Sequence, residues 1–138
     1  MLPGRVNGGP VEQKKSLEGR EMNDFPEFMK HPLNKIPSAS QHTEEIEGYV
    51  FDGADGSQVA FWKCCTQRVS QEHTHDYDEY LAVLQGQYTL IIDQQRISLG
   101  VGQEYFIPKG IAHAGEGLAG TRTVHCFGGK RVLREKQD

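Results

Sequence analysis

The fold of this chain is limited most by a series of short β-type runs separated by turns that contain glycine or polar residues. Each run is four to nine residues long, and the turns between them include DGADG at 52–56 and GVGQ at 100–103. No stretch keeps the 3.6-residue periodicity of an amphipathic helix. Short strands at this spacing predict an all-β sandwich or barrel. The runs span residues 46–51, 57–65, 67–75, 79–85, 87–92, 96–99, 104–108 and 121–127.

The sequence changes in character along its 138 residues, a length that corresponds to one domain. Residues 1–21 are rich in glycine and charge and poor in aliphatic side chains, which predicts a disordered extension. We expect residues 22–45 to form an N-terminal arm and residues 46–130 to form the β-domain. Residues 131–138 are expected to form a solvated basic tail, which continues from Lys130.

Composition and charge exclude several classes of function. The chain has 15 Lys and Arg against 19 Asp and Glu, a net charge of -4, so we expect no nucleic-acid surface. No run approaches the roughly 18 apolar residues of a membrane-spanning helix, and MLPGRVNGGPVEQKK lacks the apolar segment of a secretory signal. Three cysteines without a CxxC pair indicate neither a disulfide framework nor a thiolate zinc site. We therefore expect a cytoplasmic protein that binds neither nucleic acid nor a membrane.

The stretch HTHDYDEYLAVLQG, residues 73–86, places chemistry-bearing side chains at the start of an apolar run. Residues two apart on a strand share a face, so His73 and His75 are predicted to point the same way. Glu79 shares a face with Leu81 and Val83, and a carboxylate among core residues needs a compensating partner. Two imidazoles and a divalent cation would supply one, although a His-x-His pair on a strand is also compatible with a solvated surface pair.

A second stretch, GQEYFIPKGIAH at 102–113, places His113 after a Pro-Gly turn. Together the two stretches resemble the paired motifs of the cupin superfamily, G-x5-H-x-H-x3,4-E-x6-G and G-x5-P-x-G-x2-H-x3-N. The matches are His73, His75, Glu79 and Gly86 in the first motif, and Gly102, Pro108, Gly110 and His113 in the second. Two positions depart from the pattern, because Gln67 stands for the leading glycine and Gly117 for the closing asparagine. Gly117 makes the backbone after His113 look looser and wider than is usual in the family.

The resemblance covers residues 46–127 and implies a single-domain β-barrel of jelly-roll type. It also implies that His73, His75, Glu79 and His113 hold one divalent transition metal per chain. Three imidazoles and a carboxylate with an open position suit Fe, Mn, Ni, Zn, Co or Cu. No other cofactor is expected.

Further residues of the pocket and the assembly follow from strand alternation. In the run 121–127, either Arg122 or His125 faces inward, and alternation alone leaves both choices open. An inward Arg122 would bind a carboxylate or phosphate of the substrate, and an inward His125 would be a general acid or base. The run 57–65 is largely apolar on both faces, which predicts that one face packs in the core and the other against a second subunit of a homodimer.

Two functions fit this pattern. The first is a metal-dependent enzyme that acts on a small polar substrate, an organic acid or a sugar derivative, by oxygenase, isomerase or lyase chemistry. The second is a non-catalytic module that binds a metal or small ligand. A cavity beyond the metal with convergent polar groups would favour the enzyme, and a site closed over the metal would favour the binding module.

Overall fold

A computed structural model of the chain describes residues 22–37, 41 and 45–134. The predicted disordered extension, residues 1–21, lies outside these residues, as do the last four residues of the predicted tail. The described part contains no helix long and apolar enough to cross a membrane. Its strands are β1 (Ile46–Asp52), β2 (Gln58–Cys64), β3 (Arg68–Val69), β4 (Glu79–Gln85), β5 (Gln87–Ile92), β6 (Gln95–Gly100), β7 (Glu104–Ile107), β8 (Ala114–Gly117) and β9 (Arg122–Phe127).

The strands form two antiparallel sheets that enclose the core. One sheet has the order β1-β2-β9-β4-β7 and the other has the order β3-β8-β5-β6. Leu81 of β4 and Leu90 of β5 are fully buried in one apolar cluster, so the two sheets share a core. The predicted all-β class and the jelly-roll barrel are confirmed.

The strand prediction was right where a short, largely apolar run lies between turn residues. The runs 79–85 and 87–92 coincide with β4 and β5. The run 67–75 was predicted as one strand, but pairing is continuous only over Arg68–Val69, and His73 forms an isolated bridge with His113. Strand β8 was not predicted, because its sequence AGEG has low β-propensity.

The described part of the N-terminal arm packs on the barrel through two short 3-10 turns, Glu27–Lys30 and Pro32–Asn34. Phe25 is buried, and its ring lies edge-on to Phe61 of β2 with centroids 5.8 Å apart. Ile36 is fully buried in the cluster that contains Trp62. The arm therefore covers part of the outer face of β2, which the sequence had assigned to a second subunit.

The start of the predicted basic tail is fixed to the barrel rather than solvated. Val132 is 1 % exposed, and its backbone N–H and carbonyl bond the side-chain amide of Gln58 at 2.9 Å each. Arg134 donates to Asp52 Oδ2 at 3.0 Å and to the carbonyl of Val50 at 3.0 Å. These contacts join residues that lie far apart in the sequence, so the basic composition of the tail gives no indication of them.

Candidate metal centre and cavity

Three imidazoles converge inside the barrel, from His73, His75 and His113, with ligand nitrogens within 4.8 Å of one another. His73 and His113 are opposite residues of an antiparallel bridge, in which each N–H donates to the other's carbonyl at 2.9 and 3.0 Å. The carbonyl of His75 accepts a 2.9 Å hydrogen bond from the N–H of Gly110. Gly110 has a φ of 87°, a conformation that glycine adopts without strain. The Pro-Gly turn of the second motif is thereby attached to the first motif.

Backbone carbonyls fix the tautomer of two of these imidazoles. His73 Nδ1 lies 2.7 Å from the carbonyl of Gln71, and His113 Nδ1 lies 2.9 Å from the carbonyl of Ile111. A carbonyl oxygen only accepts, so both Nδ1 atoms carry the proton. In the neutral rings the lone pair is then on Nε2, as metal-binding histidines require.

Glu79 opens β4 and, as predicted, shares its inward face with Leu81 and Val83. Its Oε1 lies 3.4 Å from His75 Nε2 and 3.2 Å from His113 Nε2. Burial acts to raise the pKa of Glu79, but contacts with His113, His125 and His75 outweigh it and hold that pKa well below its usual range. Burial acts to lower the pKa of His113, yet Glu79 and the Ile111 carbonyl turn the net shift upward. Glu79 is thus a buried anion surrounded by imidazoles.

The donor set fits a divalent metal ion. Two ligands about 2.0–2.2 Å from one ion, at angles of about 90–110°, lie about 3.0–3.5 Å apart, as the Glu79 contacts do. Among the described residues, neither Glu79 Oε1 nor His113 Nε2 has a hydrogen bond of acceptable geometry, although both atoms are buried. In the neutral tautomer of His113, the Nε2 lone pair faces Glu79 Oε1 across 3.2 Å, and an ion between these two buried polar atoms would satisfy both.

The second carboxylate oxygen of Glu79 is hydrogen-bonded to His125. His125 Nδ1 lies 2.7 Å from Glu79 Oε2, and His125 Nε2 lies 3.1 Å from Thr123 Oγ1. Of the two choices left open for the run 121–127, the structure has His125 inward, with Thr123 and Phe127 also lining the cavity. His125 therefore orients Glu79, and the general acid or base role predicted for it stays a prediction.

Arg122 lies on the opposite face of β9. It donates to Gln85 Oε1 at 2.9 Å and to the carbonyl of Met22 at 3.2 Å, and its guanidinium packs over the ring of Phe25 at 4.9 Å. The side chain is buried beneath the arm and does not line the cavity. This position gives Arg122 no route to a substrate in the barrel, in contrast to the inward orientation considered for it.

A cavity adjoins the imidazoles, with a volume of about 550 Å³ that includes the solvent space at its opening. Sequence reasoning missed two of its polar residues, Tyr88 and Arg131. Tyr88 shares a strand face with Leu90, so strand alternation could have found it. Nothing in the sequence indicated Arg131, because its position depends on the long-range contact between Val132 and Gln58. The described lining consists of Gln41, Ile46, Trp62, Cys64, Ser70, His73, His75, Glu79, Tyr88, His113, Thr123, His125, Phe127 and Arg131.

Gly117, the position that departs from the second motif, lies in the regular strand β8. The looser backbone expected there is not found. A Cβ atom at Gly117 would lie 2.6 Å from Cys64 Sγ, so the missing side chain makes room for a buried thiol. Gly115 has the same function for Tyr88, whose hydroxyl would lie 1.8 Å from an added Cβ.

Comparison with known proteins agrees with the geometry. A sequence model of the family described as "Cupin domain" matches residues 66–127. The polyketide cyclase RemF from Streptomyces resistomycificus has a similar structure, with a TM-score of 0.58, 20% identity, and coverage of 70% of this chain and 73% of RemF. KdgF from a Halomonas species has a TM-score of 0.56 at 15% identity, with coverage of 67% and 89%. A cupin-like protein from Thermotoga maritima has a TM-score of 0.57 at 14% identity, with coverage of 67% and 74%. No curated protein sequence matches the chain significantly.

Proposed function

We propose that this protein, which belongs to the cupin superfamily, is a metal-dependent enzyme that acts on a small polar substrate. The observation that carries the proposal is the convergence of His73, His75 and His113 on one point beside the buried Glu79 carboxylate. A structural metal site would be closed and typically rich in thiolates. This site instead opens onto a cavity and is built from nitrogen and oxygen donors.

One divalent transition metal per chain, among Fe, Mn, Ni, Zn, Co and Cu, would be held by Nε2 of His73 and His113, by His75 and by Glu79 Oε1. Such a metal supplies a Lewis acid or an activator of water or oxygen. The chain contributes orientation, because Gln71 and Ile111 fix two ligand tautomers and His125 fixes the carboxylate. It also contributes an enclosure lined by Trp62 and Phe127 that limits access of water.

The cavity favours an enzyme over a binding module. The imidazoles face an open cavity, which leaves room for a ligand beside them. Polar groups from Thr123, Tyr88 and Arg131 join the imidazoles in its lining, whereas a storage site needs only its ligands. RemF, which shares the fold, is described as a polyketide cyclase, so a barrel of this kind supports catalysis in another protein.

Elemental analysis of protein purified without added metal tests the proposal. We expect about one transition metal per chain in the wild type and a large loss in His113→Ala. His31→Ala is the matched control, since His31 is exposed on the arm and should leave the metal content unchanged. Oxygen uptake and a screen of organic acids and sugars, run with each reconstituted metal, then tests for turnover. A wild-type protein that takes up none of these metals would contradict the proposal.

A further inference from the structure

We propose that the ligand of the cavity is a small organic acid whose carboxylate is bound by Arg131. This inference rests on the proposed function, because it places the ligand beside the metal centre. It adds a ligand class and a specificity residue that neither the paired motifs nor the similar structures indicate.

The position of Arg131 is fixed by its neighbours in the chain. Val132 is held by two hydrogen bonds to Gln58, and Arg134 is held by Asp52 and by the carbonyl of Val50. The segment is therefore anchored directly after Arg131. The anchor fixes the backbone next to Arg131, whose side chain lines the cavity in the absence of a ligand.

The guanidinium lies over the ring of Trp62, with 5.7 Å from Cζ to the ring centroid. A cation–π contact at this distance helps to hold the guanidinium beside the cavity. With five donors, a guanidinium serves contacts within the chain and a carboxylate at the same time. Burial lowers the pKa of Arg131 from its usual high value, a sign that this cation has lost hydration and gains from a nearby anion.

The charge of the cavity favours an anion. Glu79 is the only carboxylate in the described lining, and three imidazoles already surround it. A divalent ion bound by one carboxylate leaves a net positive charge, and Arg131 adds another. A low-dielectric cavity strengthens the attraction of these charges for an anionic ligand.

Carboxylate fits this cavity better than phosphate. Arg131 is the only Lys or Arg side chain in the described lining, whereas a phosphate has up to two charges and three oxygens to satisfy. The remaining lining includes Ile46, Trp62 and Phe127, which suit the apolar body of an organic acid. A planar fork meeting a planar carboxylate requires one arginine.

The test compares acids with their neutral amides. Calorimetry would measure the binding of benzoate against benzamide and of lactate against lactamide to the metal-loaded protein, with inorganic phosphate as a third probe. We expect acids to bind and amides to bind much more weakly. Arg131→Gln should weaken acid binding about 10- to 100-fold, the range for a charge-assisted bond. Arg131→Lys should lose part of the affinity because the bidentate geometry is lost.

Lys130→Gln is the matched control, since it removes the adjacent charge from an exposed side chain and should leave acid binding unchanged. The metal content of each variant, measured in parallel, separates the two proposals. Equal acid binding by the wild type and Arg131→Gln, equal binding of acids and amides, no acid binding at millimolar concentration, or tighter binding of phosphate would each overturn the carboxylate proposal in a metal-loaded protein. A wild type without metal would instead overturn the proposed function.

Discussion

His125 is an imidazole that contacts Glu79 beside the proposed metal site without belonging to the predicted ligand set. Its bond to Glu79 Oε2 leaves Oε1 to point toward His75 and His113. Partners that orient metal ligands typically contribute 10- to 100-fold to metal affinity. A histidine with both ring nitrogens engaged inside the protein is therefore better placed to position Glu79 than to exchange protons with solvent.

We expect His125→Ala to lower metal affinity about 10- to 100-fold and to leave the three ligand imidazoles in place. Metal titration with a competing chelator measures this directly. His125→Gln, which keeps a side-chain donor, should recover part of the affinity. Unchanged affinity in His125→Ala would show that Glu79 needs no positioning or is not a ligand.

Gly117 shows how one residue compensates for another across the barrel. Adding a Cβ at this position brings it within 2.6 Å of Cys64 Sγ. We expect Gly117→Ala to reduce the free energy of unfolding by about 1–3 kcal/mol, as overpacking of a filled core does. In a Cys64→Ala background the thiol is absent and the same change should cost much less. Urea denaturation of the four proteins forms a double-mutant cycle, and additive costs would contradict the steric explanation.

At the scale of elements, the sequence indicates a strand best where packing and propensity agree. β4 and β5 were predicted to the residue because each is a short, largely apolar run bounded by turn residues. β8 was missed because its glycines are there to admit Tyr88 and Cys64, which is a tertiary reason. The convergence of His73, His75 and His113 was predictable because these residues lie in two short motifs. The place of Arg131 in the cavity was not predictable, because its neighbour Val132 is held by Gln58, which lies 74 residues away in the sequence.

The N-terminal arm is attached partly by charge, which makes its docking pH-dependent. Asp24 contacts Lys30 at 2.8 Å and Lys63 of β2 at 3.3 Å. Hydrogen bonds from Lys30 and from the backbone N–H of Phe25, both in the arm, lower the pKa of Asp24 from 3.8 to about 2, with further help from Lys63 of β2. A depressed pKa means that the contribution is complete above the unfolded value of 3.8 and is lost as the pH falls through about 2.

We therefore expect the arm to loosen between pH 4 and pH 2, and NMR chemical shifts of Phe25 and Phe61 should report it. Asp24→Asn should remove this dependence while keeping the arm's apolar contacts. Glu79 also has a lowered pKa. The relevant quantity is therefore the difference in chemical shift between the wild type and Asp24→Asn at each pH. Identical pH profiles would show that Asp24 does not hold the arm.

At the scale of the whole molecule, the homodimer stays a prediction. The structure changes which surface is expected to contact the second subunit. Phe25 covers Phe61 on β2, so the outer face predicted to contact a partner is partly occupied. Farther along the same sheet, Tyr80 is paired with Phe106 on one side and with Cys126 on the other. Tyr80 is 37% exposed and Phe106 is 55% exposed. Contiguous exposed apolar side chains on a flat sheet typically mark an interface.

Light scattering should give twice the 15.5 kDa mass of the chain at micromolar concentration, and Phe106→Glu should give the monomer. A charge placed at the centre of an apolar interface is desolvated without a partner, which makes association unfavourable. Leu133→Glu adds the same charge at another exposed apolar residue and should leave the mass unchanged. A wild type at the monomer mass would contradict the dimer.

The metal is expected to serve the site rather than the fold. An apolar cluster with fully buried Leu81, Leu90 and Ile107 contains none of the imidazoles, and burial of such side chains stabilises the barrel by about 25 cal/mol per Å². A zinc finger, in contrast, has no core until its ion binds. Removing the metal should therefore leave the β-structure intact and lower only the melting temperature.

We expect metal at about 100 times its dissociation constant to add about 2.7 kcal/mol, which corresponds to about 5–15 °C for a chain of this size. His113→Ala should lose this increment and keep a β-rich circular dichroism spectrum at about 25 °C, since it removes a ligand from outside both apolar clusters. Chelator-treated wild type should behave in the same way, and restoring the metal should raise the melting temperature of the wild type alone. A random-coil spectrum for either metal-free protein would show that the ion stabilises the fold itself, because the apolar clusters would then be insufficient without it.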